Sequence, residues 1–243
     1  MSDEESATKR EQAQRVREMF ATIATRYDLL NHLLSGNIDR RWRRLVVKKV
    51  VANLPVSNAR VLDVACGTGD LSLALVAGAQ AQVVGLDFCR PMLNIAAAKS
   101  SQRGLAIPFV EGDALQLPFR DESFDALSIS FGLRNVASVE GGLRELLRVL
   151  RPGGSVAVLE FSKPRTPIVR TFYWAYFTKV LPWFGGLVSG SRSAYEYLPD
   201  SVSRFPDQEA LAAMMKKVGF AEVSFQNLTG GIAALHFGRR PKE

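Results

Sequence analysis

From residue 60 onward, short apolar runs alternate with longer amphipathic stretches, and this alternation constrains the fold more than any other feature of the sequence. Short apolar runs indicate buried strands, and the longer stretches have helical spacing. The pattern therefore predicts a parallel sheet covered by helices on both faces. The predicted parallel strands are 60–65, 82–87, 107–113, 124–131 and 155–161.

The C-terminal part departs from the parallel pattern. Residues 207–218 have helical spacing and end before Gly219, and the strand-like stretches 221–228 and 231–238 follow. Because these two stretches are close in sequence, we expect them to pair as an antiparallel hairpin. The prediction is an α/β fold with a seven-stranded, mostly parallel sheet, a C-terminal antiparallel hairpin and helices on both faces.

Two segments lie outside the alternation. Residues 8–53 are predicted to be helical, with a break at Gly36 and Asn37, and residues 162–206 form an aromatic insertion after the fifth strand. The stretch FYWAYFTKVLPWFGG at 172–186 is too short and too interrupted to cross a bilayer, which needs about 20 apolar residues. It suits a lid over an apolar ligand or a contact with a membrane surface.

These boundaries predict one domain with four parts. They are the single domain 1–243, divided into an N-terminal helical region 8–53, a cofactor-binding core 60–161, the aromatic insertion 162–206 as a lid, and a C-terminal helix and hairpin 207–243.

Positive charge is concentrated near the N-terminus. Residues 1–60 contain twelve Lys and Arg against seven Asp and Glu, so they carry most of the formal net charge of +7. A solvated helix face explains this pattern, and so does attraction to a phosphate-bearing surface. No nucleic-acid-binding motif accompanies the charge, so a lipid surface is favoured over nucleic acid.

Cysteine and histidine usage indicates a reducing compartment and no metal. Cys66 and Cys89 are too few for a disulfide framework, and His32 and His236 have no zinc-binding spacing. The acidic, polar beginning of the chain lacks the basic and apolar segments of a signal peptide. We therefore expect a cytoplasmic protein.

The strongest local motif is VLDVACGTGD at 61–70, where a strand runs into a glycine loop and a helix begins. A dinucleotide site favours a third glycine where this chain has Ser72, and Asp63 and Asp70 would repel a diphosphate. Asp63 instead suits a positive amine, and Asp87 ends the second strand where a carboxylate can accept ribose hydroxyls. The predicted ligand contains a nucleoside, carries positive charge and lacks phosphate.

S-adenosylmethionine meets that description. Asp113, after the third strand, fits the adenine amine, and Ser130 ends the fourth strand beside the cofactor. Each position also has a structural interpretation, since Asp63 could cap a turn, Thr68 could fill a loop and Asp113 could form an Asx turn. The ordered set of residues favours the cofactor. For Cys66, loop packing is favoured over nucleophilic catalysis.

Six sequence stretches resemble a known family. They are RYDLLNHLLSGNIDRRWR at 26–43, LDVACGTGDL at 62–71, SFGLRNV at 130–136, LRVLRPGG at 147–154, LEFSKP at 159–164 and YLPDSVSRFPDQEAL at 197–211. The sequence resembles the class I S-adenosylmethionine-dependent methyltransferases and, more narrowly, the ubiquinone/menaquinone biosynthesis C-methyltransferases, also called demethylmenaquinone methyltransferases. One departure is Cys66, where many members have a smaller residue.

The resemblance implies a Rossmann-like sheet and S-adenosylmethionine as cofactor. The candidate cofactor-binding residues are Asp63, Gly67, Thr68, Gly69, Asp87, Asp113, Ala114 and Ser130.

The implied reaction transfers a methyl group to a ring carbon of a reduced prenylated quinone, either demethylmenaquinol or the benzoquinol of ubiquinone biosynthesis. A phenolic pKa of about 10 means that the site must stabilise a phenolate. We assign this role to Arg134, which is a poor proton acceptor, and leave the proton to water. Asn135 and Tyr27 are the other candidate catalytic residues. Asn31 and His32 are further candidates for the second ring oxygen, although His32 and His236 could equally be structural.

Three other functions stay open. Ser72 and Asp63 count against a nucleotide-binding oxidoreductase, and intact Asp87, Arg134 and Asn135 count against a non-catalytic cofactor- or lipid-binding subunit of a quinone-synthesising assembly. A nucleic-acid methyltransferase rests on the basic N-terminus alone. The expected partners are a prenylated hydroquinone, the inner face of a membrane contacted peripherally and, as a further option, a second copy of the chain.

Overall fold

The computed structural model describes residues 14–54, 58–79, 81–164, 171 and 192–242. Seven strands form one sheet with the order β3-β2-β1-β4-β5-β7-β6. They are β1 (Arg60–Val64), β2 (Gln82–Asp87), β3 (Phe109–Glu111), β4 (Phe124–Ser130), β5 (Leu150–Phe161), β6 (Ala221–Leu228) and β7 (Ala233–Arg239). Strands β1 to β5 are parallel, and β7 runs antiparallel to both β5 and β6. The predicted fold class is confirmed.

Eight helices have bounds in the described part of the chain. They are α1 (14–23), α2 (Tyr27–Leu34), α3 (Ile38–Val51), α4 (Asp70–Gly78), α5 (Arg90–Gln102), α6 (Val139–Val149), α7 (Arg192–Arg204) and α8 (Gln208–Val218). The predicted break between α2 and α3 is present, because Gly36 and Asn37 both adopt positive φ angles, of 57° and 62°. Such angles end a helix.

Side-chain caps fix where two of the helices begin. The Ser138 hydroxyl accepts a hydrogen bond from the backbone N–H of Gly141 at the start of α6. The Asp207 carboxylate does the same for the N–H of Ala210 at the start of α8, at 2.9 Å. Each cap satisfies a backbone donor that the first helical turn leaves without a partner.

The helix α3 is part of the core and not an appendage. Its buried side chains Trp42, Val46 and Val50 belong to a hydrophobic cluster on one face of the sheet, together with Leu71 and Leu75 of α4. A second cluster on the other face contains residues of α6 and α8. Burying α3 against the sheet places the first turns of this helix beside the carboxyl end of β1.

The strands β1 and β4 are neighbours, and the strand order reverses between them. In open α/β sheets, ligands bind outside the carboxyl ends of the strands at such a switch point. Ala65 and Phe131, which follow β1 and β4, both have positive φ angles, of 52° and 57°. Such backbone strain in residues other than glycine is concentrated at functional sites. A Cβ on Gly132 would lie 2.3 Å from the Cβ of Ala65, so only glycine lets these loops meet.

Most of the predicted aromatic insertion, including the stretch 172–186, lies outside the described residues, so its role as a lid stays a prediction. Its end is described as α7, which packs on the body of the protein through the buried side chain of Val202 against Phe161 and Ile232. In the described part of the chain, no helix is long and apolar enough to cross a membrane.

Candidate active site

A cavity of about 750 Å³ lies at the carboxyl ends of the first four strands, and α1 covers one side of it. We call it the cofactor cavity. Five of the sequence-predicted cofactor residues line it, namely Gly67, Asp87, Asp113, Ala114 and Ser130. Its volume is within the range of about 300 to 1,000 Å³ that small-molecule sites occupy.

Asp87 fixes two loops of the cofactor cavity. Its side chain is buried, and its two carboxylate oxygens accept hydrogen bonds from the backbone N–H groups of Gly67, at 2.8 Å, and Cys89, at 2.9 Å. Burial raises the pKa of Asp87, and these N–H groups partly oppose the rise. An ionised carboxylate has about four acceptor sites. Two of these sites are left for the ribose hydroxyls of a ligand.

Asp113 and Ser130 lie at the far side of the same cavity. The Asp113 carboxylate accepts a hydrogen bond from the N–H of Leu115 at 2.8 Å, so the Asx-turn interpretation is correct. Because Asp113 also lines the cavity, the adenine contact remains a prediction. The Ser130 hydroxyl is buried and has no hydrogen-bond partner among the residues that the structure describes. A buried hydroxyl without a protein partner can form a hydrogen bond with a bound ligand or water.

The two loop glycines have different roles. Gly67 lines both cavities of the site and has a φ of 55°, and a Cβ at this position would meet the ring of Tyr27 at 4.0 Å. Gly69 is absent from the described linings, and its own Cβ would lie 2.9 Å from the Cβ of Ala96 on α5. Gly69 therefore serves helix packing, and its predicted contact with the cofactor stays untested.

A second cavity of about 140 Å³ adjoins the first, and we call it the ring cavity. The two cavities share Tyr27, Gly67, Ser130 and Phe131 among their lining residues. The ring cavity is also lined by Trp42, Phe161, Arg134, Tyr197, Asp63 and Thr68. The ring centroids of Phe131 and Phe161 are 4.7 Å apart, and those of Trp42 and Phe131 are 5.9 Å apart. These walls suit a flat apolar ring.

Arg134 is paired, which the sequence did not predict. Its Nη1 atom donates to Glu160 Oε1 at 2.8 Å, and its guanidinium carbon lies 5.3 Å from the centroid of the Phe161 ring. The Arg134 and Glu160 side chains are only 6% and 1% exposed. Arg134 is therefore one half of a buried ion pair. Its Nε–H is buried, and no described residue accepts a hydrogen bond from it.

Asn135 and Tyr27 complete the predicted catalytic set. The Tyr197 hydroxyl donates to Asn135 Oδ1 at 3.0 Å, and Asn135 lines the cofactor cavity. Tyr27 lines both cavities, and burial raises the pKa of its hydroxyl, with Asn31 and Arg134 opposing the rise. A neutral Tyr27 hydroxyl can donate a hydrogen bond to an oxygen in the ring cavity.

Asp63 is a buried acid of the site whose hydrogen-bond partners are hydroxyl groups. It is 1% exposed, and its carboxylate accepts hydrogen bonds from the hydroxyls of Ser72 at 2.6 Å and Ser128 at 2.8 Å. Burial raises the pKa of Asp63 to about 6, although these hydroxyls partly offset the effect. Ser72, which replaces the glycine of a dinucleotide motif, thus supports an acid. A buried carboxylate of this kind favours a positively charged ligand nearby.

Five charged residues and one histidine form an ionic cluster at the ring cavity that sequence reasoning missed. They are Asp28 and His32 of α2, Asp39 and Arg43 of α3, Asp70 of α4 and Lys99 of α5. The Thr68 hydroxyl donates a hydrogen bond to the Asp28 carboxylate, so Thr68 links this cluster to the glycine loop. The spacing of Asp28 and His32 on α2 and of Asp39 and Arg43 on α3, four residues apart in each helix, could have indicated the two helix faces, but the break at Gly36 and Asn37 hides their relation.

The ionic cluster stabilises the charged form of Asp70. Burial alone would raise the pKa of Asp70, but the hydrogen bond from Lys99 and the charge of Arg43 bring it below its usual value. Lys99 Nζ lies 2.7 Å from Asp70 Oδ1, and Arg43 Nη1 lies 3.1 Å from Asp70 Oδ2. His32 Nδ1 lies 2.8 Å from Asp39 Oδ2, and this contact joins α2 to α3.

His236 and Cys66, which the sequence analysis considered as candidates, are not suited to catalysis. His236 is buried, and its Nε2 atom donates to the backbone carbonyl of Gln208 at 2.9 Å, away from both cavities. Burial lowers the pKa of His236, so it is a neutral structural histidine. Burial also raises the pKa of the Cys66 thiol well above its usual value, which disfavours the nucleophilic thiolate.

These residues fit S-adenosylmethionine. Asp87 has free acceptor sites, Ser130 has an unsatisfied hydroxyl, and Asp63 is a buried acid that a cationic ligand would stabilise. The seven-stranded sheet with its antiparallel hairpin and this acidic cofactor cavity are those of an S-adenosylmethionine-dependent methyltransferase.

Comparison with known proteins gives the family. The sequence model of the ubiE/COQ5 methyltransferase family matches residues 8–240, and the chain belongs to this family. It is 53% identical to the demethylmenaquinone methyltransferase of Thermus thermophilus over 92% of this chain and 100% of that protein. It is 47% identical to the ubiquinone/menaquinone biosynthesis C-methyltransferase UbiE of a Geobacter species over 95% of this chain and 98% of that protein. The resemblance seen in the sequence is confirmed.

Solved structures confirm the fold. The cyclase SpnF matches with a TM-score of 0.71 at 19% identity, covering 95% of this chain and 97% of that one. A possible histamine N-methyltransferase from Thermotoga maritima matches with a TM-score of 0.60 at 20% identity, covering 92% and 98% of the two chains.

Replacing Asp87 with Ala should raise the dissociation constant for S-adenosylmethionine at least about tenfold, because each lost charged hydrogen bond costs about 1.5 to 3 kcal/mol. Isothermal titration calorimetry measures the change. Asp125→Ala is the matched control, since Asp125 is also a buried carboxylate and bonds Arg151 and the Arg60 N–H at the opposite end of β4. The control should leave affinity unchanged. Equal affinities for all three proteins would remove Asp87 from the cofactor site.

The raised pKa of Asp63 predicts a pH-dependent cost to stability. Between the ordinary value of 3.8 and about 6, the unfolded carboxyl ionises while the folded one stays protonated. Stability therefore falls as pH rises through this window, by up to about 3 kcal/mol. Urea unfolding of the wild type and Asp63→Asn at pH 4 and pH 7 checks this. The wild type should lose stability relative to the variant at the higher pH, and a constant difference would contradict the assignment.

Proposed function

We propose that this chain methylates a ring carbon of a reduced prenylated quinone, with demethylmenaquinol as substrate and menaquinol as product. The observation that carries the proposal is the aromatic ring cavity beside the cofactor cavity, with Arg134 and Tyr27 lining its polar side. Relatives at 53% and 48% identity that bear the name demethylmenaquinone methyltransferase support this choice of ring.

A benzoquinol of ubiquinone biosynthesis is the second candidate. Several relatives at 43% to 47% identity carry the name ubiquinone/menaquinone biosynthesis C-methyltransferase, which includes both quinones. Mass measurement of the products from each reduced precursor, with labelled S-adenosylmethionine, separates the two substrates.

The chain's part in the reaction is to make a ring carbon nucleophilic. A hydroquinone hydroxyl has a pKa of about 10, so its proton leaves readily only if the resulting oxyanion is stabilised. The guanidinium of Arg134, a residue that lines the ring cavity, carries N–H donors that can provide this stabilisation. Tyr27 donates to the second ring oxygen. Water accepts the proton, because a guanidinium is always protonated.

One part of the ring cavity is apolar. Trp42, Phe131 and Phe161 form this part, next to polar lining residues such as Thr68 and Asp70. When bound, S-adenosylmethionine supplies an electrophilic methyl group on a sulfonium. Attraction between an anionic ring and a cationic cofactor is stronger in a dry site than in water, because the effective dielectric constant is lower. Asp87 holds the cofactor in the cofactor cavity, and Asp63 places a buried acid at the ring cavity next to it.

The substrate tail places this chemistry at a membrane, and we propose that the chain contacts the inner face of the membrane peripherally. Arg40, Arg41, Arg44 and Lys48 are exposed on α3 and lie on one face of that helix. The exposed apolar side chain of Leu29 lies on the adjoining α2. Basic residues near an anionic bilayer contribute about 1 kcal/mol each, and an apolar side chain adds contact with the lipid.

Two other bases of α3 are not available for lipid. Arg43 belongs to the ionic cluster, and Lys49 Nζ lies 4.3 Å from the centroid of the Phe237 ring. Contributions from Trp174, Phe177 and Trp183 of the aromatic insertion, and the formation of a dimer, stay predictions.

Arg134→Lys should reduce turnover of demethylmenaquinol by about a hundredfold at saturating substrate, since a flexible ammonium cannot reproduce the planar, oriented guanidinium. Arg134→Gln, which removes the charge, should be slower still. Affinity for S-adenosylmethionine should change little in either variant. The matched control is Arg151→Lys, which alters an arginine paired with Asp125 away from the site. Normal turnover in both Arg134 variants would exclude Arg134 from the reaction.

Replacing Arg40, Arg41 and Arg44 together with Gln should abolish most sedimentation with anionic liposomes at low salt, because the basic face is lost. The control triple variant changes the exposed bases Arg103, Lys216 and Lys217 to Gln, which gives the same net charge. The control should bind nearly as well as the wild type, and binding should fall as salt rises. Equal loss in the two variants would mean that net charge, not this face, drives binding.

A further inference from the structure

The catalytic pair Arg134 and Asn135 lies in a single 3₁₀ turn, Leu133–Asn135, directly after β4. A turn this short has few internal backbone hydrogen bonds, so it is weakly held by itself. Its geometry must therefore come from neighbouring elements. The motif LEFSKP, which the reaction itself leaves without a role, places Glu160 on β5 next to this turn.

We propose that Glu160 is a positioning residue that orients the Arg134 guanidinium at the lining of the ring cavity. This proposal rests on the proposed function, in which the guanidinium stabilises the oxyanion of the substrate. Glu160 itself is absent from the described linings of both cavities, so it acts through Arg134 and not on the substrate.

One carboxylate holds both the backbone and the side chain of Arg134. Glu160 Oε1 accepts from Arg134 Nη1 at 2.8 Å, and Glu160 Oε2 accepts from the backbone N–H of Arg134 at 3.2 Å. The Oε1 atom also accepts from the backbone N–H of Phe161 at 2.8 Å. The carboxylate is therefore fixed to its own strand and fixes the turn in two places.

The remaining contacts of the guanidinium agree with this orientation. Arg134 Nη1 also donates to the carbonyl oxygen of Phe131, and the Phe161 ring lies against the guanidinium. The Nη1 end is thus held by protein, while the buried Nε–H has no acceptor among the residues described. These contacts fix the guanidinium of a residue that lines the ring cavity.

The charge of Glu160 has a second consequence. Because the pair is buried and neutral, the ring cavity does not carry an unpaired cation before the substrate ionises. Gln at position 160 could accept at one atom only, and its NH₂ group would face one of the two Arg134 donors. The turn would lose one of its two attachments while the size of the side chain stays the same.

Glu160→Gln should lower kcat for demethylmenaquinol by about 10- to 100-fold and leave the KM for the quinol and the Kd for S-adenosylmethionine within about twofold. The loss should shrink as pH rises toward about 10, because the phenolate then forms without help. Asp125→Asn is the matched control, since it weakens a buried acid–arginine pair away from the site. A loss of turnover that is the same at every pH, or equal in the control, would overturn the proposal.

A double-mutant cycle isolates the connection between the two residues. In an Arg134→Gln background, Glu160→Gln should lower kcat less than twofold further, and it should raise the melting temperature because it removes an unpaired buried charge. An additional loss as large as in the wild-type background would mean that Glu160 acts independently of Arg134. If Glu160→Gln does not fold, Glu160→Asp keeps the charge and withdraws the carboxylate, with the same expected loss of kcat.

The NMR signal of the Arg134 Nε–H gives a readout that does not depend on the substrate. The signal is assigned by its absence in Arg134→Lys, and its exchange with water should become faster in Glu160→Gln than in the wild type or in Asp125→Asn. If this signal depends on Glu160 but the wild type methylates no quinol, the proposed substrate is wrong and the positioning role stands. An unchanged signal together with unchanged turnover would disprove the role of Glu160.

Discussion

Asp70, the first residue of α4, is the contact on which the rest of the site depends. Lys99 of α5 and Arg43 of α3 both pair with its carboxylate, so three helices meet at the end of the glycine loop. Through Arg43, the helix α3 is held where Trp42 can line the ring cavity. Although exposed ion pairs contribute little, this cluster is partly buried and networked, which strengthens each pair. Without it, the ring cavity would lack one wall.

Each of the two cavities contains a buried acid. Asp87 lines the cofactor cavity and Asp63 lines the ring cavity, and burial raises the pKa of both. The ring cavity also presents the Arg134 and Tyr27 donors, with the arginine balanced by Glu160. A cationic cofactor that reaches both acids would relieve the cost of burying them, and an anionic ring would meet hydrogen-bond donors.

The sequence predicted the parts of the site that follow strand ends. The range of β2 was predicted as 82–87, and Asp87 and Ser130 line the cofactor cavity, because parallel strands deliver their carboxyl ends to one edge. Partners that join distant elements were missed. The pairing of Arg134 with Glu160 depends on how β4 and β5 are aligned, and that of Lys99 with Asp70 depends on helix packing. Spacing along one element carries no information about either.

The helix α3 connects the proposed membrane contact with the chemistry of the ring cavity. One side of it is buried through Trp42 and Val46, its first turns supply Arg43 to the ionic cluster, and its exposed side carries Arg40 and Arg44. A rigid helix of this kind cannot rest on a bilayer without fixing the distance between the lipid surface and the ring cavity. In the proposed membrane-bound state, a prenyl tail could therefore remain in lipid while its ring reaches Phe131. The long, insoluble tail then needs no equally long pocket, which agrees with a ring cavity much smaller than the cofactor cavity.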